Sequence, residues 1–259
     1  MRIAIITQDE KLYLPSAISH LLRHLEGQVV FGVVLPSFNE GRWQNLRRFL
    51  RLMGPRDTFR LVRKYFAASV LDRFNRIRPV TKPFSAEETF RRFRIPFAKC
   101  AEVNDPVFLN EVLRPLGLDL IVSIAASQIF KPVLLSLPKF GCINLHSSPL
   151  PKYRGMMPNF WAMVSGDRET CVTVHRMDER LDTGALILQK AVAIPPGDSL
   201  DALMTRSKVV GAAALLEAIA LIDEGRCVTV PLDMTKGSYH HFPGAEEGRR
   251  LRSLGHRFF

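Results

Sequence analysis

A doubly wound, mostly parallel α/β sheet of Rossmann-like type is the fold class predicted here, on three observations. Short apolar, β-rich runs alternate with amphipathic helical stretches through the first half of the chain. The runs at 2–6, 29–34 and 119–124 are nearly continuous in apolar residues, as strands covered on both faces are. A further apolar run ends in Asn144-Leu145-His146, so two polar side chains fall at the carboxyl end of a strand, where open α/β sheets place their ligands.

In chain order, residues 2–6 read as the first strand, 14–25 as a helix and 29–34 as the second strand. Thr7, Gln8, Asp9 and Glu10 stand where a Gly-x-Gly-x-x-Gly turn would be, so a dinucleotide is not implied. A basic helical insertion then occupies about 38–94. Gly54-Pro55 divides it into two helices, and Asp57 or Thr58 is placed to cap the second. The alternation resumes with a short strand at 95–99, a helix at 105–113 capped by Asn104 or Asp105, a buried strand at 119–124 and a short helix at 132–137 before the Asn144 strand. Beyond it come a helix at 159–165, strands at 171–177 and 186–192, and a long helix that Ser199 opens and Gly225 closes. Leu200, Leu203, Ala213, Leu216, Ile219 and Ala220 are among that helix's apolar positions. From Cys227 the composition turns to Gly, Pro, Arg and aromatics, which divides the chain into a main domain, 1–225, and a carboxyl-terminal appendage, 226–259.

With 259 residues the chain is long enough for a sizeable core. The clearest apolar run, 118–126, is broken by Asp119 and Ser123 and falls short of a membrane span. The amino terminus is too short in apolar length for a signal peptide, and the expected location is cytoplasmic. Cys100, Cys142, Cys171 and Cys227 have neither Cys-x-x-Cys nor zinc-finger spacing, so no disulfide framework and no metal is signalled, and His240-His241 has no companion ligands. Cys142, inside an apolar strand, reads as packing rather than as a nucleophile. The formal net charge is +11, concentrated between residues 42 and 94 and again at the tail. Phe59-Arg60-Leu61-Val62-Arg63-Lys64-Tyr65-Phe66 mixes basic and apolar groups at helical spacing; such a helix is either a solvated face or a surface for phosphates, RNA or anionic membrane.

The Asn144-x-His146 strand is followed by Ser148-Pro149-Leu150-Pro151, Gly155 and the loop Leu181-Asp182-Thr183-Gly184. At these residues the sequence resembles the folate-dependent formyltransferases, the family of the glycinamide ribonucleotide, methionyl-tRNA and amino-sugar enzymes, over about residues 95–225. Their shared pattern is Asn-x-His, then Ser-x-Leu-Pro-x-x-x-Gly, then Leu-Asp-Thr-Gly. Pro149 departs from the Leu more usual there.

The resemblance implies an N-formyltransferase in which Asn144, His146 and Asp182 are catalytic. Moving a formyl group to an amine passes through a tetrahedral intermediate, which needs a donor for the oxyanion and a route for the amine's proton. The Asn144 amide supplies the donor; His146 acts as base or as charged donor, with Asp182 supporting it. The implied formyl donor is 10-formyltetrahydrofolate, held by Ile124, Ala125, Ala126, Ser127, Ile129 and Phe130 and by Leu181, Thr183 and Gly184. Ser148, Pro151, Arg154 and Gly155 are expected on the acceptor side. The methionyl-tRNA enzymes carry an additional carboxyl-terminal β-barrel, and this chain stops soon after Gly225; Thr7-Gln8-Asp9-Glu10 also lacks the phosphate loop of the glycinamide ribonucleotide enzymes. An amino-sugar nucleotide or another phosphorylated or lipid-linked amine is therefore the expected acceptor, with initiator tRNA as the alternative. Hydrolysis of the formyl-folate, or a non-catalytic RNA- or membrane-binding role, ranks below both.

Overall fold

The computed structural model describes residues 1–37, 41–79 and 81–259. Of the expected insertion 38–94, residues 38–40 and 80 lie outside the described residues. The first four sheet strands are β1 (Ile3–Gln8), β2 (Val29–Leu35), β3 (Phe97–Lys99) and β4 (Leu120–Ile124). Next come β5 (Cys142–His146), the two-residue β6 (Arg154–Gly155), β7 (Glu169–Arg176), β8 (Leu186–Ala193) and the two-residue β9 (Tyr239–His240). The helices are α1 (Leu14–His24), α2 (Arg42–Ile77), α3 (Ala86–Arg92), α4 (Pro132–Leu135), α5 (Pro158–Ser165), α6 (Leu200–Asp223) and α7 (Ala245–Ser253).

Seven strands form one sheet in the order β3-β2-β1-β4-β5-β7-β8. β1 to β5 run parallel, and β7 and β8 join antiparallel, which makes the sheet mostly parallel. The chain works outward from β1 in one direction and then returns to add β4 on the other side, so the order reverses between β1 and β4. That reversal opens a crevice at the carboxyl ends of these strands. Helices cover both faces. Ile3, Ile5, Val122, Ile143 and Leu145 pack in one core with α1, α3 and α6, whereas Ala4, Ile6, Ile121 and Cys142 pack in a second with α4 and the π-helical turn Phe108–Leu113. Strand alternation explains the split.

Several local expectations change in the structure. Gly54 breaks α2 with φ 75° and ψ 173°, a left-handed backbone that Gly adopts without steric cost, and Pro55 starts the second half. Neither expected cap acts there: the Thr58 hydroxyl donates to the Gly54 carbonyl from within the first turn (2.7 Å), and Asp57 pairs with Arg60 and Arg252 at 3.2 Å each. Asp105 accepts from the Val107 N–H (3.0 Å) and so serves as the cap there, but the turn it starts is π-helical. Ser199 caps α6 as expected, accepting from the Ala202 N–H at 3.2 Å. Of the apolar positions expected along α6, Leu200, Leu203 and Ile219 are buried and Leu216 is half-buried. Ala213 and Ala220 face solvent, while Ser207, Gly211, Ala214, Leu215 and Ala218 are buried. Gly211 is needed because a Cβ there would come within 2.7 Å of the Leu145 side chain.

The segment from 226 onward is woven into the body. Val230 bridges to Leu186, and Arg257 bridges to Ser199. β9 pairs with β6, α7 lies against α2, and Phe258 is buried in a stack on Phe160 with centroids 6.2 Å apart. Gly248 lets α7 approach α2 closely, since a Cβ would sit 1.9 Å from the Leu52 carbonyl oxygen.

Candidate active site

β5 delivers two polar side chains to the sheet's carboxyl edge. Asn144 and His146 share a face with Cys142, while Ile143 and Leu145 enter the opposite core. Cys142 Sγ lies 3.7 Å from the Leu134 carbonyl, and burial pushes its thiol up to about 12, which keeps it protonated and non-nucleophilic at neutral pH. The antiparallel register of β5 and β7 sets His175 beside Asn144.

A hydrogen-bond chain follows from that register. His175 Nδ1 lies 2.7 Å from the Arg176 carbonyl, which only accepts, so Nδ1 carries the proton and donates. Nε2 is then the acceptor and receives the Asn144 amide N–H at 3.2 Å. Burial holds the His175 imidazole below its ordinary value, against the opposing pull of Asp182. His175 thus fixes which way Asn144 points, and the second amide hydrogen of Asn144 is left for another acceptor.

His146 Nε2 lies 3.0 Å from the Tyr153 carbonyl and is the donor there. Its Nδ1 faces Asp182 Oδ1 at 3.5 Å, an arrangement that forms a hydrogen bond only when Nδ1 also carries a proton. Asp182 has φ 55°, the left-handed region that Asp tolerates better than most residues. Its Oδ2 accepts the Gly155 N–H at 3.1 Å, and its Oδ1 lies 3.9 Å from His175 Nε2. One carboxylate therefore lies between His146 of β5 and His175 of β7 while hydrogen-bonded to the loop at Gly155.

The motif residues around these groups are mostly scaffolding. Ser148 donates to the Lys152 carbonyl (2.9 Å), closing the loop that carries the Tyr153 carbonyl to His146. The Pro151 carbonyl accepts from the Ser238 N–H at 3.2 Å. Gly155 has φ 93°, and a Cβ there would come 2.4 Å from the His240 carbonyl oxygen. Gly184 packs so tightly on β7 that a Cβ would sit 1.8 Å from the Arg176 carbonyl oxygen. Thr183 donates to Asp178 at 2.6 Å within its own loop. His240 lies against the Trp161 ring, with centroids 4.4 Å apart. Among the described residues no cluster of three or more His, Cys, Asp or Glu is placed to hold a metal.

A cavity of about 640 Å³ opens over Asn144, His146 and Asp182. Of the residues expected at the folate, Ala125, Ala126, Ser127, Ile129, Phe130 and Leu181 line it; Ile124, Thr183 and Gly184 do not. Ile124 is fully buried in the sheet, its carbonyl taken by the Thr7 hydroxyl at 2.9 Å. Of the residues expected on the acceptor side, only Gly155 lines the cavity, whereas Ser148, Pro151 and Arg154 do not; the Arg154 guanidinium lies 5.9 Å from the Tyr239 ring centroid.

Sequence reasoning missed His175 and the whole opposite wall. Phe49, Met53, Leu61 and Tyr65 of α2 form that wall with Phe242, Phe258 and Phe259 of the tail. α2 is clamped over the ends of α1 and α6 by Lys11 to Asp72 (3.2 Å), Tyr65 to Glu10 (3.3 Å) and Lys64 to Asp201 (2.5 Å). Gln8, at the end of β1, also lines the cavity, and its buried Oε1 has no hydrogen-bond partner among the described residues. Such an acceptor awaits a donor from a ligand. Lys208 lies 3.5 Å from Ser147 Oγ, and burial lowers its pKa. The size of the cavity, its small and apolar walls, and polar groups converging at one end fit a flat ring carrying a reactive carbonyl.

A sequence profile for the formyl transferases matches residues 67–219. Methionyl-tRNA formyltransferase of Pelotomaculum thermopropionicum is 38% identical over 149 residues, covering 58% of this chain and 47% of that protein. The chain spans about half the length of the curated relatives it matches. Among solved structures, a glycinamide ribonucleotide transformylase of Symbiobacterium toebii superposes with TM-score 0.60 at 21% identity, over 90% of this chain and 94% of that one. An N-formyltransferase of Helicobacter canadensis, in complex with folinic acid and dTDP-3-aminofucose, superposes with TM-score 0.60 at 16% identity, over 98% of this chain and 81% of the other. These superpositions show a shared fold.

Proposed function

The chain belongs to the formyl transferase family, and from that premise we propose that it moves a formyl group from 10-formyltetrahydrofolate to a primary amine. The observation that carries this reading is the convergence of Asn144, His146 and Asp182 at the floor of one cavity, with His175 fixing the Asn144 amide. The formyl-folate supplies an activated carbonyl carbon. The free amide hydrogen of Asn144 is the donor for the oxyanion that forms when the amine nitrogen attacks that carbon. His146 Nδ1, facing Asp182, is the place where the amine's proton can be held as an imidazolium–carboxylate pair, because Nε2 is already committed to Tyr153. Collapse of the intermediate breaks the bond from carbon to the folate nitrogen, which leaves with the electron pair and takes up the proton. Gln8 Oε1 is positioned to receive an amine N–H. Residues 1–225 carry this chemistry, and 226–259 close the acceptor side.

For the acceptor, the sequence relatives favour methionyl-tRNA over the amino-sugar nucleotide that the residues alone suggested, since the proteins matched at 38% identity are methionyl-tRNA formyltransferases. The amino-sugar nucleotide is kept as the second reading because the Helicobacter canadensis enzyme shares the fold over 98% of this chain. Turnover of 10-formyltetrahydrofolate by the purified protein, followed by absorbance with initiator methionyl-tRNA and with a panel of amino-sugar nucleotides, separates the two. Formate release without any amine would replace both with hydrolysis.

A further inference from the structure

We propose that the outer face of the second half of α2 docks on an anionic lipid surface. Residues 55–77 form a helix whose inward face is used fully: Thr58, Ala68, Asp72 and Asn75 are buried, and Leu61 and Tyr65 line the active-site cavity. The opposite side should be polar in a surface helix. Instead Phe59, Phe66, Val70 and Ile77 fall on one line along it, with relative exposures of 70%, 70%, 50% and 83%, and Val62 and Phe74 flank them. The stripe runs from residue 59 to residue 77, about 27 Å at 1.5 Å per residue. An exposed apolar strip of this length marks an interaction surface.

Charge identifies the occupant. Arg56, Arg63 and Arg73 border the stripe, all exposed and without an acidic partner among the described residues. The acids of α2 are Asp57 and Asp72, and both are occupied: Asp57 by Arg60 and Arg252, Asp72 by Lys11 and Arg76. A second copy of the chain docked face to face would set arginine against arginine. A nucleic acid would match the arginines but leave the line of Phe, Val and Ile side chains in water. An anionic bilayer satisfies both, taking the apolar side chains into the acyl boundary and the guanidinium groups at the headgroups. No helix among the described residues is long and apolar enough to cross a membrane, so α2 would lie in the interface plane. The inference does not rest on the formyl-transfer reading.

The test is co-sedimentation of the full chain with phosphatidylcholine vesicles, with and without phosphatidylglycerol, for the wild type, a Phe59→Asp/Phe66→Asp variant and an Arg63→Gln/Arg73→Gln variant. All four side chains are exposed, and circular dichroism should be unchanged. Binding only to the phosphatidylglycerol vesicles, weakened roughly tenfold or more by either pair, is the expected result. The proposal is overturned if anionic vesicles are not bound, or if binding survives loss of both phenylalanines. It is equally overturned if the wild type instead forms a dimer that the aspartates dissociate, or if tRNA is bound in place of vesicles with no effect of the phenylalanine pair.

Discussion

The two walls of the cavity are built in opposite ways. The floor, from β5, β7 and the Asp182 loop, is polar, held by short-range hydrogen bonds and glycine-tight loop contacts, and lies within the residues matched by the family profile. The roof, from α2 and the tail, is mostly apolar; Phe49, Met53, Leu61, Phe242, Phe258 and Phe259 all lie outside that match. Chemistry common to a family needs groups fixed to a fraction of an ångström, which strands and tight loops provide. A choice among acceptors needs only a shaped apolar surface, which an insertion and a terminal segment can supply.

The comparison makes its strongest prediction at the floor. Asp182→Asn keeps a residue that tolerates the left-handed backbone and can still accept from Gly155, but it removes the charge beside His146. Turnover should fall by roughly 10² to 10³ with the melting temperature nearly unchanged. A variant that is fully active, or one that fails only because it unfolds, breaks the assignment of chemistry to this wall. Gly155→Ala tests the scaffolding. Its Cβ would come 2.4 Å from the His240 carbonyl oxygen at φ 93°, so urea unfolding should show a loss of about 2 kcal/mol or more, with activity falling alongside.

At the roof the expected effect is smaller and of another kind. Phe242 meets Phe49 edge to face with centroids 5.4 Å apart and has the Arg48 guanidinium 5.6 Å from its ring centre. Phe242→Ala should raise KM for the amine roughly threefold to tenfold, the worth of an aromatic pair at ~0.5–1.5 kcal/mol, and leave kcat near the wild-type value. If kcat falls while KM holds, the division of labour between the walls is wrong.

This difference between the walls also governs what could be read in the sequence. The strands, the caps at Asp105 and Ser199 and the break at Gly54 are local: each depends on a few neighbouring residues and a spacing. The polar trio of the floor was legible through the resemblance to the family pattern. The glycines of the motif were legible as motif, although their reason, contact with the His240 and Arg176 carbonyls, needed the fold. His175 was hidden because its partner Asn144 is set by an antiparallel register across two strands, and period-2 alternation in β7 says which residues share a face but not which strand lies beside them. The roof was hidden for a longer-range reason. Phe258 and Phe242 reach the cavity only because the tail threads past β6 and α7 packs on α2, which no local pattern encodes. The basic stretch at 42–94 was read through its charge, and its inward apolar face was therefore missed. Arg154, Ser148 and Pro151 were assigned to the acceptor by motif proximity, whereas their positions serve the loop that carries the Tyr153 carbonyl.

The smallest effect sharpens the part of the floor that motif reasoning did not reach. Buried His175 is held below the ordinary imidazole value of 6.5, so between its folded value and 6.5 the unfolded chain binds a proton that the folded chain does not. Folding stability should then be fully present above pH 6.5 and decline as pH falls below it, by up to about 1.4 kcal/mol per pH unit from this group. His240 is also lowered by burial and adds a slope of the same sign, so the informative quantity is the difference between wild type and His175→Gln. Glutamine can accept from the Asn144 amide without titrating. Urea midpoints measured between pH 5 and pH 7 should therefore converge on the acid side, with the wild type losing more stability than the variant. A wild type that instead gains stability relative to the variant as pH falls would mean that His175 is protonated in the folded state. Its Nε2 would then donate toward Asp182 rather than accept from Asn144, and the amide proposed as the oxyanion donor would have lost the partner that aims it.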